Sequence, residues 1–242
     1  MDNLIQKDEF KKLKESFERK TKEVEIIKKI SSQINKTLDT KLIAKALLEA
    51  MDEFYASDCG KKYPADVVLF DDAFNGSSPS THFFINSYES MEDYEVGQAL
   101  VATCPAAAAF FSKILPVATP VSEFVTFQAL EVGDWTKDRA FMRFDLKVES
   151  GKAGDYLEEF IELANSNENE LTSSYGLNSV IYGSTEFTHF IYIGGSDFAS
   201  LTKNQMAQSQ SDAQAKFLKK VKGMREVVNI SYGSPIKAWL KR

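Results

Sequence analysis

The chain has 242 residues and two histidines, and both histidines stand in the same short pattern. "STHFFINSYES" contains Thr81-His82-Phe83, and "FTHFIYIGGS" contains Thr188-His189-Phe190, 107 residues later. Imidazole titrates near neutrality, so a histidine at a pocket mouth can act as acid or base. The plainer alternative is a strand-start residue hydrogen-bonded to a loop. A two-histidine metal site would need both rings at one point, and matched positions in two halves of a molecule favour separation. No His-Glu-x-x-His, Cys-x-x-Cys, EF-hand loop, Gly-rich phosphate loop or Gly-x-Ser-x-Gly elbow occurs, so no metal site is expected and no catalytic residue is assigned.

Other side chains could build a ligand site. Trp135 and Trp239 are the only two tryptophans. They close "TFQALEVGDW" and "ISYGSPIKAW", two stretches of equal length. Either they plug the ends of a packed structure or they line a pocket rim. Arg143 shares a strand face with Phe141, Asp145 and Lys147 in "RAFMRFDLKV". On a solvent face it is an ordinary surface charge; on a lined face it is the best anchor for an acidic or quinone-like ligand. Tyr88 and Asn86 share the His82 face of their strand, because side chains alternate with a period of two.

Positioning these residues requires regular elements. The second half reads as a strand at 139–148, then a helix from Tyr156 to Leu171 that Gly176 stops. A hairpin of "LNSVIYGS" and "THFIYIGGS" follows, then one long helix from Asp197 to Lys222 with Leu201, Ala213, Phe217 and Val221 buried. One last strand, "REVVNISYGSPIKAW", closes the half. The order is βαββαβ, the ferredoxin-like unit. The first half repeats it: helix, "YPADVVLFDD", "THFFINSYES", a helix broken at Pro105, and "EFVTFQALEVGDW". Two scarce residue types, each once per half and in matching places, indicate a duplication. The expected fold class is α+β, with residues 1–40 a helical extension, 41–136 one unit and 137–242 the other. The first unit shows no evident first strand. That leaves an open edge, which the N-terminal helix or a second subunit is expected to cover.

Tyr88-Glu89-Ser90-Met91-Glu92-Asp93, an aromatic and a serine leading into an acidic helix start after an apolar strand, resembles the third strand and following helix of the dimeric α/β-barrel proteins. That group includes the antibiotic-biosynthesis-type monooxygenases. The second half departs, with Gly194-Gly195-Ser196 in place of the aromatic. The resemblance implies two units closing into a barrel, here within one chain. It further implies small-molecule binding, with a monooxygenase-like or haem-binding activity in which His82 or His189 would serve as axial ligand. The cofactor is therefore either none or haem.

Residues 1–40 hold ten Lys/Arg and eight Asp/Glu, with no glycine or proline. Phe10, Leu13, Phe17, Val24, Ile27, Ile30, Ile34 and Leu38 form one helical stripe. It either pairs two chains as a coiled coil, giving a homodimer, or lies on the following domain. "EIIKKISSQINKTLDTKLIAKALLEAMDEFY" resembles the signalling helix that leads into GAF domains, which implies a sensory or regulatory module. A non-catalytic structural or assembly protein is the third reading. The net charge of −6 argues against nucleic-acid binding. No apolar run is long enough for a membrane span, and no signal-peptide pattern opens the chain. Cys59 and Cys104 read as structural thiols of a cytoplasmic protein.

Overall fold

The computed structural model describes residues 39–76, 78–166, 174–184 and 186–241. The coiled coil, the homodimer through it and the first part of the signalling-type leader, up to residue 38, fall outside the described residues. The chain is α+β. A helix, α1, covers 39–56. It is followed by β1 (Ala65–Asp71), β2 (His82–Tyr88), α2 (Met91–Thr103), α3 (Pro105–Ile114) and β3 (Val125–Val132). The second half contributes β4 (Ala140–Val148), α4 (Ala153–Ala164), β5 (Tyr175–Tyr182), β6 (His189–Gly195), α5 (Phe198–Ser209), α6 (Asp212–Lys220), β7 (Arg225–Gly233) and β8 (Pro235–Trp239).

The strands form two antiparallel sheets, ordered β2-β1-β8 and β3-β5-β6-β4-β7. In the second sheet β5-β6-β4-β7 is the strand order of a ferredoxin-like unit, and β3 from the first half adds to its β5 edge. The last segment does the converse: β7 pairs with β4, and β8 pairs with β1 of the first half. The single closing strand expected at the C-terminus is thus two strands in two sheets. Ser234 makes the switch. Its N–H donates to Asp71 Oδ1, and its carbonyl accepts from Asp71 N–H at 3.0 Å.

Each sheet buries one face beneath helices. Under α4 and α6 lie Leu146, Val148, Leu177 and Ile191, with Tyr156, Phe160, Phe217 and Val221 above them. Under α1 and α3 lie Ala65, Val67, Leu69 and Trp239, with Leu47, Ala50, Met51 and Ile114. Burial of such side chains supplies roughly 1.5–3 kcal/mol each and is the main force holding the layers. Leu201, Phe217 and Val221 are buried as the helical spacing demands, and Ala213 packs against the same core.

Three helical expectations need correction. The helix after β4 ends at Ala164, and Gly176 lies inside β5. A side chain at Gly176 would strike the Tyr192 ring, so this glycine permits strand packing and does not stop a helix. The long helix expected at 197–222 is two, α5 and α6, parted at Gln210 and Ser211. Ser211 caps α6 by accepting from Gln214 N–H at 3.1 Å, a local bond that competes with helix continuation. The break expected at Pro105 is present, with proline in the first turn of α3.

The cysteines also need correction: Cys59 and Cys104 form a disulfide, with Cα atoms 6.1 Å apart. It ties the turn after α1 to the α2–α3 junction, a closeness that a separation of 45 residues does not reveal in sequence. The Cys59→Ser/Cys104→Ser variant should lose roughly 2–4 kcal/mol of stability, because the crosslink restricts the unfolded chain. Urea unfolding of oxidised, reduced and variant protein checks this. Equal midpoints for all three would show that the bridge contributes nothing.

Gly195 stands where the first half has Tyr88, at the end of the strand, and Gly194 beside it admits no side chain. A side chain here would collide with Asp138 Oδ2 and Ser174 Oγ. Asp138 is buried, and its carboxylate accepts from the Ser174 hydroxyl at 2.5 Å and from Ser174 N–H at 3.1 Å. Gly194→Ala should destabilise by about 1–3 kcal/mol through overpacking and disturbance of this latch. Gly154, which has open space around it, serves as the control site for the same substitution in thermal unfolding.

Candidate functional site

The structure does not gather the residues singled out by sequence into one site. His82, Phe84, Asn86 and Tyr88 share the helix-facing side of β2, where Phe84 and Tyr88 pack against the α1 core. Tyr88 shares a hydroxyl–hydroxyl hydrogen bond with Tyr63, and burial raises the pKa of its phenol. Asn86 is exposed. Trp239 is buried in the same core, stacked on Tyr55 with ring centres 5.9 Å apart. Its indole N–H donates to Asp52 Oδ1 at 2.9 Å. Trp135 does not close a strand; it sits half-buried in a one-turn 3₁₀ helix after β3.

Arg143 and Asp145 lie on the opposite face of β4 from Leu146. Arg143 has a partner within the strand: its Nε donates to Asp145 Oδ1 at 2.7 Å. Phe124, Phe187 and Phe190 surround the guanidinium at 5.3, 5.0 and 4.8 Å. Burial pushes the Asp145 carboxyl up, while Arg143 and Asn229 act against it.

The two histidines repeat each other in detail. Thr81 Oγ1 lies 3.0 Å from His82 Nδ1, and Thr188 Oγ1 lies 2.9 Å from His189 Nδ1. Thr188 also ties its strand to β4, accepting from Val148 N–H at 2.9 Å. Each ring is thus a strand-start residue bonded to its neighbour. Burial lowers the pKa of both imidazoles. A depressed folded-state value means that protonation favours unfolding. Stability should therefore be full above the ordinary imidazole pKa of about 6.5 and fall as pH drops through the lower folded values. Urea midpoints between pH 7.5 and 5 should show this slope, and it should flatten in the His82→Gln/His189→Gln variant.

The site that the structure does build lies on the helix side of the larger sheet. A cavity of about 60 Å³ opens between β4, β6 and helices α4, α5 and α6. Phe144, Leu146, Ile191 and Ile193 floor it, and Phe160, Leu163, Ala164 and Phe217 wall it. Its polar lining is Gln205, Gln208, Gln214 and Arg225. Arg225 opens β7 and its guanidinium carbon lies 5.7 Å from the Tyr156 ring centre and 5.8 Å from that of Phe217. Its Nε is buried and has no hydrogen-bond partner, and the same holds for the hydroxyl of fully buried Tyr156. Burial pushes the Tyr156 phenol up to about 12, so it remains a neutral hydroxyl. The α4 carboxylates Glu159 and Glu162 are engaged by Lys220 at 2.8 and 2.7 Å.

Sequence reasoning places Tyr156 and Phe217 in the core but does not single out Arg225. The available signal is a lone arginine at the start of "REVVNISYG", opposite the apolar Val148 in the ladder. No histidine is among the cavity-lining residues, and the volume is far below that of a haem, so this pocket does not fit that group.

No protein-family model matches the sequence, and no curated protein matches it. Solved structures do match. An anthrone oxidase-like protein superposes over 81% of this chain and 88% of its own, with a TM-score of 0.53 at 10% identity. A provisionally named monooxygenase from Fusobacterium nucleatum covers 80% and 86%, with a TM-score of 0.52 at 13% identity. Another so named, from Lactobacillus acidophilus, covers 82% and 89%, with a TM-score of 0.51 at 8% identity. The chain shares their ferredoxin-like fold. At these identities the likeness concerns architecture. Among the described residues no helix is long and apolar enough to cross a membrane.

Proposed function

We propose that this chain is a small-molecule-binding protein in which two ferredoxin-like units, 41–136 and 137–242, close into one barrel. The ligand sits in the helix-side cavity of the second unit. The observation that carries the binding reading is the cavity itself: an apolar floor and walls with few polar groups, the ordinary composition of a ligand site. The tandem arrangement is supported by the reciprocal strand exchange, β3 onto β5 and β8 onto β1. The matched Thr–His contacts at the starts of β2 and β6 point the same way. So do single-chain neighbours whose likeness runs through most of both chains.

Binding is favoured over turnover. General acid–base chemistry on the ligand would need a titratable side chain beside it. Three glutamines and one guanidinium line this cavity, and none of them is a base near neutral pH.

Native mass spectrometry of the full-length protein against its denatured mass tests the reading. A retained small-molecule mass is expected. Ala164→Phe, which places a ring in the cavity wall, should abolish that excess while the fold melts as before. Retention unchanged in Ala164→Phe would move the ligand elsewhere.

A further inference from the structure

We propose that the Arg225 cavity recognises a monocarboxylate: a small apolar acid whose carboxylate is received by Arg225. The inference rests on the binding reading above and adds the chemical class of the ligand. A guanidinium is a permanent cation, and half-burying it without an anion is costly. Among the described residues no carboxylate pairs with Arg225, and the α4 acids Glu159 and Glu162 are held by Lys220. Two aromatic rings lie against the guanidinium carbon, which offsets part of its desolvation but offers Nε–H no acceptor.

Two donors therefore lack acceptors within one core: Arg225 Nε–H and the Tyr156 hydroxyl. Buried polar atoms are nearly always bonded, so an orphan on a cavity-lining residue, as Arg225 is, marks a group that something else completes. What completes a guanidinium N–H is an oxygen acceptor. A guanidinium presents a fork that a carboxylate fits with two parallel bonds, and a neutral carbonyl fits less well.

The same surroundings argue against a phosphate. One cation, no lysine and an aliphatic–aromatic floor cannot balance a dianion in a desolvated site. A single negative charge matches Arg225, and the remainder of the ligand lies on Leu146, Ile191 and Ile193. The three glutamine amides at the rim can bond a carboxylate oxygen or a polar substituent.

Butyrate and its neutral isostere butyramide test this on the full-length protein. The readouts are the Arg225 Nε–Hε signal and the Ile191 and Ile193 methyl signals in NMR titrations. Butyrate should shift all three and saturate, and butyramide should bind far more weakly. Arg225→Met keeps the apolar stem and should weaken butyrate roughly tenfold to a hundredfold, the loss expected for a charge-assisted bond. Arg225→Lys, which keeps the charge but loses the fork, should fall between and guards against a folding defect in the methionine variant.

Equal binding of butyrate and butyramide, with the methyl signals shifted by both, would overturn the carboxylate inference and leave the cavity reading standing. The carboxylate inference falls equally if Arg225→Met binds butyrate as the parent does. Methyl signals that no probe moves would overturn both.

Discussion

The backbone exchange at Ser234 holds the two halves of this protein together. A strand can pair on both edges, but with neighbours in different sheets only if it changes direction between them. The chain from Arg225 to Trp239 does this within fifteen residues, with Asp71 bonding both the N–H and the carbonyl of Ser234. Gly233 lets the backbones approach, since a side chain there would lie 2.6 Å from the Asp71 carbonyl oxygen. One end of this segment brings Arg225 to the cavity. The other buries Trp239 in the core of the first half, where Asp52 receives its indole. Cavity and inter-half anchor are thus at the two ends of one chain segment.

That arrangement separates two kinds of arginine. Arg143 has a carboxylate on its Nε and three aromatic rings around its guanidinium, all within the chain. Among the described residues, Arg225 has rings and no carboxylate. Sharing a strand face with Asp145 makes Arg143 the conspicuous one in sequence. The same proximity that makes it conspicuous gives it a partner. Chemistry left for a ligand lies where local partners are missing, and absence of a distant partner is not written in spacing.

The histidines illustrate a second point. A scarce residue in a repeated motif invites a functional reading, yet each imidazole here bonds the threonine immediately before it. Thr188 at the same time fastens β6 to β4. The repetition is accounted for by identical strand starts, a local need of the fold. The glycine at 194 has the opposite origin: Asp138 and Ser174, distant in sequence, occupy the space that a side chain would need.

The sequence by itself determined the α+β class, the order of elements, the faces of the strands and the buried positions Leu201, Phe217 and Val221. Those features follow from periods of two and 3.6, which record each residue's contacts with its near neighbours. It also showed the break at Pro105, because proline's constraint is local. Only the tertiary structure decided the disulfide, the division of the last strand, the helix ends at Ala164 and Ser211, and the cavity at Arg225. Each depends on which distant segments meet. Cys59 finds Cys104 because α1 packs beside α3, and Arg225 reaches the cavity because β7 pairs with β4.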